Sequence, residues 1–348
     1  MNKPKISILV PVYLSFNFLN KVNEHLTNQT YQNIEIIYIN DGSPDDSGKI
    51  CDQFAANDQR IKVIHQKNSG AAEALNTGIL NSTGEFIMFI DADDWIELNT
   101  CEIAIKHALE NDADLVFWMN IKEYETKSVP YPPFFTTSKL FKGEEMVFLK
   151  RRMMGLIGNE LKFPIQTDAF NAGWGKMYKT KIIKDNHIKW NATHLVGSSD
   201  VLFNAKLMPY INRAFFLKEY LHHYNRNNPN SLTRTYNNTL YSKYKNLFNE
   251  LNKIIGNFYP KQNDFVMALN NRIAMSSINI TLSLTIAKYN KQQYLDLSKM
   301  LHDGLFIESF KKLEMQYLPI HFKCFFYFAR LKFTFGILVL GKIMNKMR

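Results

Sequence analysis

Between residues 6 and 118, short apolar runs alternate with stretches whose apolar residues recur every three or four positions. The runs are residues 6–10, 34–39, 61–64, 86–90 and 114–118. Runs this short, bounded by turn residues, read as strands buried in a sheet. Between them, helices are expected around Phe18, Leu19, Val22 and Leu26, around Ile50, Cys51, Phe54 and Ala55 behind a Ser47 cap, and over residues 71–80 and 100–110. Strands that alternate with helices form a mostly parallel sheet joined by right-handed crossovers. The chain is therefore expected to be an α/β protein over this stretch.

The loops after these strands carry the chemistry. The fourth strand runs straight into Asp91-Ala92-Asp93-Asp94. Acidic groups just past the C-terminal end of a buried strand lie at the crevice where open α/β sheets bind ligands. Clustered carboxylates repel one another unless a cation joins them. Hard oxygen ligands suit Mg²⁺ or Mn²⁺, and Mg²⁺ comes with substrate phosphates. Taken alone, so short an acidic motif is more often a solvated turn. The other strand ends change that balance. Pro11-Val12-Tyr13 follows strand one, with a proline to stiffen the exit and a ring on which a base can stack. Asn40-Asp41-Gly42-Ser43 follows strand two, with Asp41 placed to accept a base imide N–H. Asn68-Ser69-Gly70 follows strand three and opens a helix at Ala71, whose N-terminus attracts phosphate. Each loop alone is ordinary turn chemistry. Four of them at one edge of one sheet point to a metal–diphosphate substrate.

Composition separates the partners such a site can have. The 348 residues carry 42 Lys and Arg against 32 Asp and Glu, a net charge of +10. That balance favours phosphorylated substrates, anionic lipid or nucleic acid. No nucleic-acid recognition motif is present, so no nucleic-acid partner is expected. The excess gathers instead in the tail. From Lys311 onward stand Lys312, Lys323, Arg330, Lys332, Lys342, Lys346 and Arg348, against Glu314 alone. Apolar residues 325–328 and 333–340 interleave with these charges. Neither run reaches the ~18 residues needed to cross a bilayer. They suit helices lying in a membrane interface, or core helices that cover the rest of the chain. Three widely spaced cysteines, Cys51, Cys101 and Cys324, argue against a disulfide framework or zinc site and fit a reducing cytoplasm. The N-terminal apolar stretch is interrupted by Pro11 and lacks a small-residue cleavage site, so it reads as a strand rather than a signal peptide.

The segments Val10-Pro11-Val12-Tyr13, Asn40-Asp41-Gly42-Ser43, Asn68-Ser69-Gly70 with Asn76-Thr77-Gly78, and Asp91-Ala92-Asp93-Asp94 together resemble the ordered signature of family 2 glycosyltransferases. The resemblance spans about the first 120 residues. It implies the GT-A fold, a Rossmann-like, mostly parallel sheet with flanking helices, followed here by a helical C-terminal region. It implies a nucleotide-sugar donor, usually a UDP-sugar, and inversion at the anomeric carbon. Pro11, Val12, Tyr13, Asp41, Asn68, Gly70, Asn76, Asp91, Ala92 and Asp94 then belong to the nucleotide-sugar site. Tyr13 and Asp41 go to the base, and Asp91 to the ribose or base side. Asp93 becomes the metal ligand for Mg²⁺ or Mn²⁺, while Asp94 is a donor-sugar contact or a helix cap.

The second half resembles, more loosely, the bacterial capsule, O-antigen and exopolysaccharide branch of that family. Trp174-Gly175-Lys176-Met177-Tyr178 carries Lys176, as a phosphate contact or a surface lysine. Gly197-Ser198-Ser199-Asp200-Val201-Leu202-Phe203 carries Asp200, which the resemblance makes the catalytic base. Asp200 can also serve as a cap or first-turn acid of the helix that follows, and the two roles are compatible. Arg226 and Arg234 sit in segments similar to a loop that closes over the donor. His222 and His223 suit a structural role, or a metal or acceptor contact. The chain departs from the pattern at Leu14, where Asn is frequent, at Leu75, where Arg is, and at Ser199, where an acid is.

The expectation is an inverting, metal-dependent glycosyltransferase whose acceptor is a saccharide on a polyprenyl diphosphate. It would be cytoplasmic and peripheral at the inner face of the plasma membrane, held on that anionic surface by the tail. Residues 1–120 would form the donor half of the GT-A domain, 121–235 the acceptor and catalytic half, and 236–348 the helical region. The alternative is a catalytically degenerate protein that still binds nucleotide sugar. A nucleotidylyltransferase needs a glycine-rich loop after strand one, which Pro11-Val12-Tyr13-Leu14 does not supply. A processive membrane polymerase is disfavoured by the lack of a spanning run and of an Arg-Trp dipeptide.

Overall fold

A computed structural model of the chain describes residues 3–164, 166, 170–228, 238–286 and 290–346. The first four apolar runs form β1 (Ile6–Val12), β2 (Ile34–Asn40), β3 (Ile61–His65) and β4 (Phe86–Phe89), parallel and in the order β3-β2-β1-β4. β1 is apolar at nearly every position because both of its faces are covered. On one face, Ile6, Ile8, Val10 and Val12 pack with Leu19, Val22 and Leu26 of α1 (Phe16–Thr27) and with Cys101, Ala104 and Ile105 of α4 (Thr100–Glu110). On the other face, Leu9 and Ile39 meet α3 (Ala71–Asn81) at Gly78, where a Cβ would stand 2.9 Å from Ile39 Cδ1 and 3.2 Å from Leu9 Cδ1. Each fully buried aliphatic side chain contributes about 1.5–3 kcal/mol. A one-residue slip of β1 would exchange its two faces, so the register is tightly specified.

Ser47 does not cap α2 (Ser47–Asn57) as expected; it is the helix's first residue, and its Oγ accepts the Ser15 N–H at 3.0 Å. That bond ties the loop after β1 to the start of α2.

Beyond β4 the sheet becomes mixed. β9 (Lys176–Lys179) lies antiparallel between β4 and β6 (Leu115–Tyr124), and β10 (Arg213–Asn225) runs parallel to β6. β5 (Trp95–Ile96) and β8 (Lys139–Lys142) add to β10 antiparallel, and β7 (Lys127–Pro130) adds to β6 in the same sense. β10 falls where the sequence reads as irregular. Lys218 and Glu219 interrupt its apolar pattern, and the ladder with β6 shifts register on both sides of Tyr220. A bulge of this kind hides a strand from period-two reading.

The described residues fall into two compact units. One gathers 3–149, 172–193 and 199–228, which includes the whole sheet; the other gathers 150–164, 166, 170–171, 194–198, 238–286 and 290–346. The second is built around the helix Asn263–Thr285. Its buried Arg272 Nε donates to Met154 O at 2.6 Å, and Asn271 Nδ2 to Leu156 O at 2.8 Å. The tail forms two helices of this unit, Ile320–Arg330 and Thr334–Lys346. Among the described residues, no helix is long and apolar enough to cross a membrane.

Glu160 is the charged anchor of the second unit. Arg151 Nη2 donates to its Oε1 at 2.8 Å, the Ile157 N–H to Oε2 at 3.0 Å, and Arg152 Nη1 lies 3.2 Å away. Burial alone would raise this carboxyl. The Arg151 hydrogen bonds, the two guanidinium charges and the Ile157 N–H outweigh burial and hold it below the usual range. A lowered folded pKa means that the unfolded chain takes up the proton first as pH falls. The stabilisation is therefore complete above the unfolded value of about 4.3 and is lost as pH falls through the folded one. Glu160→Gln is expected to lose about 1.5–3 kcal/mol at pH 7, read from urea unfolding. The gap from wild type should close as pH drops below about 4. An equal gap at both pH values would contradict this ion cluster.

Candidate active site

β1, β2, β3 and β4 are parallel, so the loops that follow them emerge at one edge of the sheet. Asp41 knits two of these loops together. Its Oδ1 accepts the Ser69 N–H at 2.9 Å and Gln66 Nε2 at 2.7 Å, and its Oδ2 accepts the Gly70 N–H at 2.7 Å. A carboxylate has about four acceptor positions; three of Asp41's are taken by its own loops, and the residue is 2% exposed. Gly42, at φ +65°, lets the loops approach; a Cβ there would stand 2.8 Å from Asn68 N. Asn68 and Gly70 are exposed, and Tyr13 is 46% exposed. Pro11 is half-buried. The side chains of Val12 and Ala92 point into the core, so these two have only backbone to offer a ligand. Asn76 is engaged within the protein: its Nδ2 donates to Trp190 O at 3.1 Å and its Oδ1 accepts the Trp190 N–H at 2.8 Å.

The acidic turn divides its carboxylates between outside and inside. Asp91 is exposed. Asp93 is half-buried and accepts Asn228 Nδ2 at 2.7 Å. Asp94 is 0% exposed, with His222 Nε2 on one oxygen and the Asn225 N–H on the other, both at 2.9 Å. Asp94 is thus an inward anchor to β10. It is not a helix cap, because the next helix is capped at Asn99. Burial, then the Asp93 charge, push the Asp94 carboxyl well above the usual range. Burial pulls His222 down to about 3. The imidazole is therefore neutral, and it shares one hydrogen bond with the Asp94 carboxyl through Nε2. Trp174 stacks on His222 at 4.4 Å between ring centres and 2° between planes, and Tyr224 follows at 5.5 Å. His222 is accordingly structural.

Asp200 occupies the first turn of the helix Ser199–Leu207, half-buried, and accepts the Gly173 N–H at 2.9 Å. A Cβ on residue 173 would stand 2.8 Å from Asp200 Oδ1, so the approach requires glycine. Burial pushes the Asp200 carboxyl up, and the Gly173 N–H and the Lys176 charge pull it part of the way back. Asp91 still reaches solvent, but the protein mass around it, then the charges of Asp94, Asp93 and Asp200, push its carboxyl well above the usual range. Asp200, 109 positions from Asp91 in sequence, is thus near enough for its charge to raise the Asp91 carboxyl.

Lys176 lies in β9 and is 4% exposed, so it is not a surface lysine. Its Nζ donates to Ala172 O. Arg226 lies over the Tyr224 ring, 5.5 Å from its centre, and the charges of Asp94 and Asp91 reach that phenol. Arg226 thus stands beside the acidic turn. Arg234 lies outside the described residues. Asn228 and Gly173 escaped sequence reading. Their partners are 135 and 27 positions away, and no local pattern signals such contacts.

Among the described residues no three acidic, imidazole or thiol side chains gather to hold a metal by themselves, so a divalent cation here would need oxygens from its substrate. Mg²⁺ is held by one or two carboxylates with substrate phosphates completing the shell, and Asp93, beside the exposed Asp91, supplies oxygens of that kind.

The model of the family described as glycosyl transferase family 2 matches residues 7–185. The match takes in all four strand-end loops and the segment around Lys176, and stops short of Asp200. The chain is 32% identical over 232 residues to glycosyltransferase GlyA of Streptococcus pneumoniae serotype 4, covering 67% of this chain and 32% of that one. It is 34% identical over 220 residues to glycosyltransferase GlyG of the same organism, covering 60% of this chain and 71% of that one. The chain thus spans about a third of the length of GlyA. The crystal structure of S. aureus TarS 1–349 in complex with UDP-GlcNAc has the same fold, with a TM-score of 0.71 at 18% identity over 99% of this chain and 92% of that one. The α/β sheet followed by a helical region agrees with the fold expected from sequence.

Leu14 marks a local cost of the first loop. It holds φ +52°, and its N–H donates to Ser43 Oγ at 3.3 Å. The left-handed region costs an ordinary L-residue roughly 1–2 kcal/mol, which asparagine tolerates better. Leu14→Asn is therefore expected to raise stability by about 0.5–1 kcal/mol, read as a higher urea midpoint. An unchanged or lower midpoint would mean that the leucine side chain compensates the strain.

Proposed function

Because this chain belongs to glycosyltransferase family 2, we propose that it moves a sugar from a UDP-sugar to a saccharide acceptor, with inversion, in cell-surface polysaccharide biosynthesis. The observation that carries this reading is the acidic turn Asp91–Asp94 at the sheet edge where the loops after β1, β2 and β3 emerge, with Asp200 near enough for its charge to act on Asp91. A donor diphosphate and an acceptor hydroxyl need such an arrangement. The complex of the similarly folded TarS with UDP-GlcNAc supports a UDP-sugar as donor.

In this reading Tyr13 stacks on the base, and Asp41 uses its remaining lone pair for the base imide. Asp91 faces the ribose. Arg226 lies beside the diphosphate. Mg²⁺ or Mn²⁺ on Asp93 would supply Lewis-acid stabilisation for the departing diphosphate. Asp200 takes the proton of the acceptor hydroxyl as that oxygen bonds to the anomeric carbon. The bond from that carbon to the diphosphate oxygen breaks on the opposite face, and its electron pair leaves with the nucleoside diphosphate. A carboxylate whose pKa is raised above the ordinary value is better matched to this task, and such assistance is worth ~10²–10⁴-fold.

The acceptor we infer is a saccharide on a polyprenyl diphosphate, met at an anionic membrane face. The tail supports this. The helix Ile320–Arg330 buries Phe325, Phe326 and Ala329 and leaves Ile320 and Tyr327 exposed. The helix Thr334–Lys346 buries Ile337, Leu338 and Gly341 and leaves Phe335, Val339 and Ile343 exposed at four-residue spacing. Lys323, Lys332, Lys342 and Lys346 accompany these stripes. Outward apolar side chains among lysines suit the surface of an anionic bilayer.

Three outcomes are expected. In calorimetry against a panel of UDP- and GDP-sugars, one UDP-sugar binds with Mn²⁺ and not with EDTA, and Asp93→Ala abolishes that binding. Asp200→Asn keeps the donor affinity and lowers transfer by ~10²–10⁴-fold. Silence across the whole panel would remove the donor site, and donor binding without any wild-type transfer would favour the degenerate alternative. In flotation, the protein rises with vesicles containing phosphatidylglycerol and not with phosphatidylcholine alone. Phe335→Asp combined with Val339→Asp reduces that fraction severalfold. Equal flotation of wild type and double variant would free the tail of this role.

A further inference from the structure

One peptide group stands between a buried lysine and the Asp200 carboxylate. The carbonyl of Ala172 accepts Lys176 Nζ, and the N–H of Gly173, the other end of the same peptide, donates to Asp200 Oδ1 at 2.9 Å. Asn204 Nδ2 reaches Ala172 O at 3.5 Å and donates to Asp200 O at 3.0 Å, while its Oδ1 accepts Tyr178 Oη at 3.0 Å. The peptide is thus gripped from β9 and from the helix that carries Asp200. A positive charge on its carbonyl side polarises the peptide and strengthens its N–H as a donor, because chained hydrogen bonds reinforce one another in a low dielectric. An ammonium removed from water also needs an opposite charge, and Asp200 is the carboxylate whose charge acts on it.

We propose that Lys176 is a positioning residue of the transfer reaction, acting through the Ala172–Gly173 peptide to orient Asp200 and keep it ionised, and is not a phosphate contact. The proposal rests on Asp200 being the base. The titratable and charged groups facing Asp200 are Lys176 and Tyr178 from β9 and Asp91 from the acidic turn; those facing Lys176 are Asp200 and His222. Burial draws the Lys176 amine down to about 7, with Asp200 pulling it back up. The same ammonium draws the Asp200 carboxyl down. Removing the ammonium should therefore raise the Asp200 pKa and move the acidic limb of activity to higher pH.

The test combines a ¹³C titration of the Asp200 carboxyl, assigned with Asp200→Asn, with calorimetry against the UDP- and GDP-sugar panel. Lys176→Met is expected to raise the Asp200 midpoint by about one pH unit and to leave donor affinity within about twofold. Lys176→Arg, which keeps the charge, should restore most of the wild-type midpoint. Where transfer is measured, the acidic limb of kcat/KM should move with the carboxyl. Lost donor affinity with an unmoved midpoint would make Lys176 a phosphate contact. An unmoved midpoint with intact affinity, or loss of the fold in both Lys176→Met and Lys176→Gln, would make it merely structural; each of these overturns the proposal. Full transfer by Asp200→Asn would remove the base reading instead, and would leave the titration to judge the link between Lys176 and Asp200.

Discussion

A carboxyl group sealed from water must be hydrogen-bonded, and Asp94 meets that demand with His222 Nε2 and the Asn225 N–H. Both partners belong to β10 and lie 128 and 131 positions from Asp94 in sequence. The pairing therefore joins the turn after β4 to the far part of the sheet. It also decides which carboxylates face outward. With Asp94 held inward, the same turn leaves Asp91 at solvent and Asp93 half-open. The stack of Trp174 on His222 extends the link to the segment just before β9, which carries the contacts of Asp200.

The second constraint is close approach. Gly42 and Gly173 each occupy a place where a side chain would strike a neighbour, a backbone nitrogen in one case and the Asp200 carboxylate in the other. At Gly173 the gain is a direct N–H to Asp200. The lysine on the other side of that peptide completes an arrangement in which charge is managed by backbone as much as by side chains. Asp91 and Asp200 are thus both carboxyls whose ionisation burial makes costly.

Much of the first half of the chain was legible because its signals are local. The runs that became β1 to β4 are continuous and apolar because those strands lie inside a covered parallel sheet. The turn residues after them are those that turns require. Helix α4 matches its expected span, residues 100–110. The segment from β9 to β10 was less legible. β10 carries Lys218, Glu219, His222 and His223 within thirteen residues, so neither a strand nor a helix period stands out. β9 is only four residues long, with lysines at both ends. Lys176 read equally well as a surface residue, because sequence does not tell which face of a short strand is covered.

By itself, the sequence determined an α/β order of elements, a polar loop after each parallel strand, and an acidic turn at the end of β4. These follow from side-chain period and turn chemistry within a few residues of one another. Only the tertiary structure decided that Asp94 points inward, that Asn76 grips the Trp190 backbone, that Asp41 spends three of its acceptor positions on its own loops, and that Lys176 and Asp200 share one peptide. Each of those outcomes depends on which distant groups satisfy a buried charge or amide. That choice is made by packing across the whole sheet, and no window of sequence contains it.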